Sequence, residues 1–208
     1  LEVEEIHKID DSIPVKAITA YVFSDSVQVE KMTEGREGML FVGGFAHPPN
    51  LDAVLWFLKE VFPEIRAEEP VNFYVAGSKV PEELKALHSP ENGIHILGFV
   101  SDERLRELYE NCRLVVVPLR YGAGVKGKVI EALYYGAPVL TTSIGAEGIP
   151  AAETVMEIED SAPRFAASAL RLSRDRAALE GLSERAAAYI RAHNGMDAVW
   201  EGLKSDFS

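Results

Sequence analysis

Five short apolar runs recur along this chain, each bounded by glycine or proline. They read MLFVGG (39–44), VNFYVAG (71–77), GIHILG (93–98), LVVVP (114–118) and APVLTT (137–142). Their β-branched and aromatic content is that of strands buried on both faces. Helix-like stretches lie between them. NLDAVLWFLKEVFPEI sets Leu51, Val54, Leu55 and Leu58 on one face, with Asn50 placed to cap its first turn. SDERLRELYENC opens on a serine that can cap and groups Leu105, Leu108 and Tyr109, while GKVIEALYYG groups Val129, Ile130 and Leu133. Alternation of this kind implies right-handed crossovers and an α/β fold: a Rossmann-like open parallel sheet with helices on both faces. TVMEI (154–158) is a candidate sixth strand, and the Ala-, Leu-, Arg- and Glu-rich sequence beyond it is helical, with a last helix after Gly195. The expected organisation is a linker and entering segment over 1–38, a sheet domain over 39–193 and a C-terminal helix over 194–208. Within the first segment, IPVKAITAYVF could form a strand entering the sheet.

A sheet of this kind needs a core, and 208 residues, 47% of them apolar, are enough to build one. Acidic residues outnumber basic ones 33 to 21, for a net charge of −12. That balance argues against a broad nucleic-acid footprint, which requires clustered Lys and Arg. It leaves room for a small phosphorylated ligand in one local pocket. Cys112 is the only cysteine, so an intrachain disulfide is impossible, and no His, Asp or Glu cluster has metal-ligand spacing. This usage suits a reducing, cytoplasmic setting. The longest apolar runs, such as LVVVPL, are too short to span a bilayer. The chain opens on Leu1 with no signal-peptide pattern and reads as a piece of something longer.

Ligands of open parallel sheets bind beyond the carboxyl ends of the strands. Here those ends are Gly43–Gly44, Gly77–Ser78, Gly98–Phe99, the loop from Pro118 to Gly127, and Thr141 to Gly148. The fourth is the richest in chemistry. Gly122, Gly124 and Gly127 leave backbone amides uncovered at a helix N-terminus, whose partial positive charge attracts phosphate, and Lys126 and Lys128 add full charges. Glu131 follows five residues after Lys126, roughly 7–8 Å along the axis at 1.5 Å per residue. That is the separation of a pyrophosphate from the ribose of the same nucleotide, and a carboxylate can accept from both ribose hydroxyls. The spacing equally serves an i, i+3 pair between Lys128 and Glu131 on a solvated face. The pattern is not a P-loop, because the Gly-Lys-Ser/Thr ending is missing. His47 and Asn50 in the first loop, and Glu147 and Gly148 after the fifth strand, are further candidates for contact with the ligand. His47 also reads as a solvated loop side chain, and His95, inside a strand, reads as structural.

GAGVKGKVIEALYYGAPVLTTSIGAEGI resembles the signature of the C-terminal, donor-binding domain of GT-B glycosyltransferases of the group 1, or family 4, type. FVGGFAHPPNLDAVLWFL and IHILGFVSDERLRELYENCRLVVVPLRYG resemble that family's first loop and middle section. By this resemblance Glu131 binds the donor ribose, and the amides of Gly122, Ala123, Gly124, Val125 and Lys126 face the diphosphate, with charge from Lys126 and Lys128. Gly98, Phe99 and Val100 frame the base, and Gly43 and Gly44 let the first loop approach. Two departures leave the sugar and the catalytic residues unassigned. Ala123 stands where the family often has a second Glu, and GGFAHPPN replaces a first loop that often carries Arg and Lys.

The implied reaction moves a sugar from a UDP or GDP donor to an acceptor hydroxyl with retention and without a cofactor. The acceptor site would lie in a second α/β domain preceding Leu1, and any membrane association would come through that half. Two other readings are a nucleotide-sugar epimerase of the same architecture and a non-catalytic nucleotide-binding domain. The last helix, with Met196, Val199, Trp200 and Leu203 at helical spacing, is expected to pack Trp200 on its own domain or to present it on the surface meant for the second one.

Overall fold

The computed structural model describes residues 2–15, 19, 21–23 and 35–204. Helix α1 (Glu2–Ile9) precedes the sheet. Strand β1 (Met39–Val42) leads through the first glycine loop into α2 (Pro48–Trp56). A π turn over Phe57–Val61 then joins α2 to α3 (Phe62–Glu68). The widened turn has a covalent cause. Pro63 has no N–H, and in a regular helix its ring would strike the carbonyl four residues earlier; one extra residue in the turn relieves that clash.

The chain continues through β2 (Phe73–Ala76), the short α4 (Glu82–Lys85), β3 (Ile94–Gly98), α5 (Asp102–Asn111) and β4 (Leu114–Val117). Then come α6 (Gly127–Tyr134), β5 (Val139–Thr141), α7 (Ser143–Ala146), β6 (Glu157–Ile158), α8 (Ala162–Arg174), α9 (Arg176–His193) and α10 (Met196–Leu203). Ser101 caps α5 as expected, accepting from the Arg104 amide at 3.3 Å.

The six strands are parallel in the order β3-β2-β1-β4-β5-β6. The expected Rossmann-like sheet is therefore present, including the sixth strand. Met39 lies level with Phe73 on one side and Leu114 on the other, so the sheet centre is in register. Crossovers of one hand that run outward in opposite directions from the β1–β4 pair place α2 and α3 on one face and α6 on the other. All four residues of β4 are buried, as a strand covered on both faces requires. On the first face Phe57 packs against Phe73 (ring centroids 4.6 Å apart) and edge-on against Phe165 of α8 (6.0 Å). Burying each such ring stabilises the fold by about 1.5–3 kcal/mol.

Three expectations need correction. Asn50 does not cap α2; the Pro48–Pro49 pair starts the helix earlier, with His47 at the cap position and Asn50 buried inside the first turns. The buried stripe of that helix is Ala53, Val54, Trp56 and Phe57 followed by Val61, not the Leu51–Leu58 face, whose leucines are only partly buried. In the stretch 13–23, residues 16–18 and 20 lie outside the described residues, and the others join no strand of the sheet. Phe23 instead pairs with Gly195 in an isolated bridge and stacks on Tyr134 at 3.9 Å. Of the two placements expected for Trp200, core packing is excluded: it is 55% exposed on α10, beside Met196 at 54%.

Candidate functional site

The chain reverses its direction of winding between β1 and β4, and beyond the ends of such strands is where open parallel sheets form their ligand crevice. Close approach of the backbones shapes its floor. A side chain on Gly77 would place its Cβ 1.8 Å from the Gly43 carbonyl oxygen, so the turns after β1 and β2 meet this closely only because residue 77 is glycine.

Lys128 and Asn50 join the two walls. The Lys128 ammonium, on α6, donates to Asn50 Oδ1 on α2, while Asn50 Nδ2 donates to the Gly44 carbonyl at 2.7 Å. The same ammonium lies 4.5 Å over the Phe41 ring. A Cβ on Gly43 would come within 2.9 Å of both Asn50 and the Lys128 Nζ, so this bare backbone makes room for the cation. Burial, with the like charge of Lys126 second, pulls the Lys128 ammonium down from 10.5 to about 7. The rim of the same crevice is tied by Arg120 Nε donating to Asp52 Oδ2 at 2.8 Å.

Lys126, the residue before α6, turns back onto its own loop. Its ammonium donates to the Gly122 carbonyl (3.3 Å), the Gly124 carbonyl and Glu147 Oε2 (3.0 Å). The glycine loop is thereby folded around a cation, with Gly122 and Gly124 at positive φ of 121° and 77°. Glu147 thus faces the loop's lysine. Thr142 caps α7, accepting from the Gly145 amide at 3.2 Å and donating to the Leu119 carbonyl, which fastens the β5 end to the β4 loop.

Glu131 lies in the second turn of α6. It does not pair with Lys128: the lysine points to α2, and the Glu131 carboxylate points to α5, where Tyr109 Oη donates to its Oε2 at 3.0 Å. The solvated i, i+3 pair allowed by the spacing is therefore absent. Burial raises the Glu131 carboxyl above its usual range, and the Tyr109 bond works against that rise.

The remaining expected residues lie along the same strand-end edge. Gly98 ends β3 at φ 71°, Phe99 is 80% exposed, and Val100 is half-buried immediately before the capped start of α5. Gly44 is 3.3 Å, measured from an added Cβ, from Ser78 Oγ. Ala123 and Val125 are exposed on the glycine loop, and Gly148 is exposed beyond β5, where an added Cβ would come within 2.9 Å of Val125. His47 is exposed and makes no capping bond. His95 bonds Asn72 at 3.2 Å and stacks on Tyr74, as a structural histidine does. Tyr109, Asp52 with Arg120, and Tyr21, whose hydroxyl would lie 2.6 Å from a Cβ on Gly127, were not singled out as site residues by the sequence. Among the described residues no three His, Cys, Asp or Glu side chains converge as they would around a metal, and no helix is long and apolar enough to cross a membrane.

Comparison with known proteins adds a family. The profile described as glycosyl transferases group 1 matches residues 36–175, more than half of the chain. A Klebsiella pneumoniae chain described as an uncharacterized 44.6 kDa protein in the cps region is 36% identical over 116 residues, which is 53% of this chain and 30% of that one. Among solved structures, S. aureus TarM with fondaparinux, α-GlcNAc-glycerol and UDP superposes with a TM-score of 0.72 at 14% identity, over 100% of this chain and 43% of that one. The pneumococcal O-GlcNAc transferase GtfA with UDP and GlcNAc gives 0.64 at 18% identity, over 93% of this chain and 38% of that one. Anabaena HepE with UDP and glucose gives 0.62 at 16% identity, over 83% and 48%. At these identities the structures share the fold, and the chain spans less than half the length of each of these relatives.

Proposed function

This chain belongs to the glycosyl transferases group 1 family, and on that premise we propose that it is the donor-binding part of a retaining glycosyltransferase using a UDP- or GDP-sugar. The observation that carries the proposal is Glu131: a carboxylate in the second turn of the helix that follows the glycine loop, free of its neighbouring lysine and held by the Tyr109 hydroxyl. The glycine loop and the first amides of α6 take the diphosphate. Lys128, on the same helix, supplies charge beside the first loop, where its ammonium meets Asn50, in place of a cation in that loop. Gly98, Phe99 and Val100 frame the base, and Gly43 and Gly44 admit the phosphates and sugar, with His47 at the loop's outer end.

The chemical task of this part is electrostatic. As the bond from the sugar to the diphosphate breaks, negative charge grows on the leaving oxygen, and prearranged amides and an ammonium stabilise it. The acceptor is bound by a second α/β domain of the full protein, in a cytoplasmic setting, with any membrane contact made through that second domain. That several of the superposing structures hold UDP supports the nucleotide class.

A thermal-shift screen tests this reading. UDP or GDP, alone or as the nucleotide sugar, raises the melting temperature, since a ligand that binds only the folded state stabilises it. No shift with any nucleotide at millimolar concentration contradicts the proposal. Purified residues 1–208 are expected to bind donor without transferring sugar; product formed by them from a defined acceptor, read by mass spectrometry, contradicts the need for a second domain.

A further inference from the structure

Glu131 has an electrostatic difficulty. It is half-buried, its nearby lysine has turned to Asn50, and its carboxyl is biased by burial toward the neutral form. A neutral carboxyl would accept poorly from two ribose hydroxyls and would spend one oxygen as a donor. Among the described residues, the hydrogen-bond donor on this carboxylate is Tyr109 Oη, at 3.0 Å from Oε2.

Tyr109 is built to stay there. Its side chain is fully buried, and its ring lies flat against Tyr135, with centroids 5.2 Å apart and planes 15° from parallel. Tyr135 is on the turn that closes α6, four residues after Glu131, so the ring packs on the same helix whose carboxylate its hydroxyl holds. The phenol remains protonated, since burial first and the Glu131 charge next push its ionisation well above the usual range. The Tyr109 contact leaves Oε1 with both lone pairs and Oε2 with one, enough for two ribose hydroxyls. The helix that carries Tyr109 leaves directly from the Gly98–Val100 turn, so one rigid element joins the two places that would hold the nucleoside.

We infer that Tyr109 is a positioning residue for nucleotide binding: by donating to Glu131 it fixes the direction in which the carboxylate meets the ribose. This rests on the donor-site reading above. It predicts two effects that a purely structural tyrosine would not produce. Removing the hydroxyl lowers affinity, and it also moves the acid limb of the affinity-against-pH profile upward, because the carboxylate loses the bond that favours its charged form.

The test is calorimetric titration of UDP and GDP into wild type, Tyr109→Phe, Tyr135→Phe and Glu131→Ala between pH 5 and pH 8. Tyr109→Phe keeps the ring and its stack, and a thermal melt checks that it folds. The expected result is a roughly fivefold affinity loss at pH 7 in Tyr109→Phe, with its acid limb shifted to higher pH. Tyr135→Phe, which removes a hydroxyl from the other ring of the stack, binds as wild type does. Tyr109→Phe with wild-type affinity and profile, while Glu131→Ala has lost binding, overturns the inference and leaves the ribose site standing. Wild-type binding by Glu131→Ala overturns both. A folded Tyr109→Phe that loses affinity equally at every pH, matched by Tyr135→Phe, assigns Tyr109 to packing and also overturns the inference.

Discussion

Replacing Glu131 with Ala is expected to lower nucleotide affinity about 30- to 1000-fold while the protein still folds. The estimate follows from two charge-assisted hydrogen bonds to ribose, each worth roughly 1.5–3 kcal/mol, partly offset by rehydration, for a net loss on the order of 2–4 kcal/mol. Folding survives because the side chain contributes one bond, to Tyr109, and no core packing. The loss of that bond leaves the Tyr109 hydroxyl buried and unpaired, so a modest drop in melting temperature, worth about 1–2 kcal/mol, accompanies the loss of binding. Calorimetric titration and a thermal melt of the same sample separate the two effects.

Lys128 gives the second large effect, and its sign can be worked out. Burial holds the Lys128 ammonium near 7, so at pH 6 it is mostly charged and at pH 8 mostly neutral. A diphosphate is attracted to the charged form, so affinity falls as pH rises, by roughly tenfold between pH 6 and pH 8 if only that form binds. The bound anion also restores the proton, so binding near pH 7 takes up about half a proton, visible as a dependence of the binding heat on buffer ionisation enthalpy. Lys128→Arg, always charged, should bind without that uptake, and Lys128→Met should lose about 10- to 150-fold at pH 6. Stability moves the other way. The folded lysine releases its proton near 7 while the unfolded one holds it to about 10.4, so the unfolded state binds more protons in that window and wild-type stability rises with pH across it. Lys128→Met should lack that rise in a series of melts from pH 7 to pH 10.

What the sequence made legible was local. The first five strands are apolar runs bounded by glycine or proline, and all six strands formed within two or three residues of their expected bounds. The concentration of glycines on one edge was readable because ligand loops and βα turns coincide in this topology. Helix α2 was misread at two points for definite reasons. Pro48 and Pro49 satisfy the rule for a helix start more strongly than Asn50 satisfies the rule for a cap, and the π turn before Pro63 rotates the buried stripe away from the simple leucine face. The contacts that decide the site's chemistry were not readable, because they cross between elements. Lys128 meets Asn50 from 78 positions away, and Glu131 meets Tyr109 from 22. Both pairings depend on the opposite faces taken by α2 and α6 and on the shared face of α5 and α6. Sequence spacing therefore left Glu131 with two roles, and the direction of two side chains removed one of them.

The ribose role is tested most directly by pairing one substitution with one change in the ligand. UDP or GDP, whichever binds, and its 2′,3′-dideoxy counterpart are titrated into wild type and Glu131→Ala. If Glu131 holds the ribose, wild type prefers the intact ribose by tenfold or more, and that preference nearly vanishes in the variant, because the removed carboxylate and the removed hydroxyls are the two ends of one interaction. A wild type that binds both nucleotides alike, or a variant that keeps the full preference, contradicts the assignment of Glu131 to the ribose.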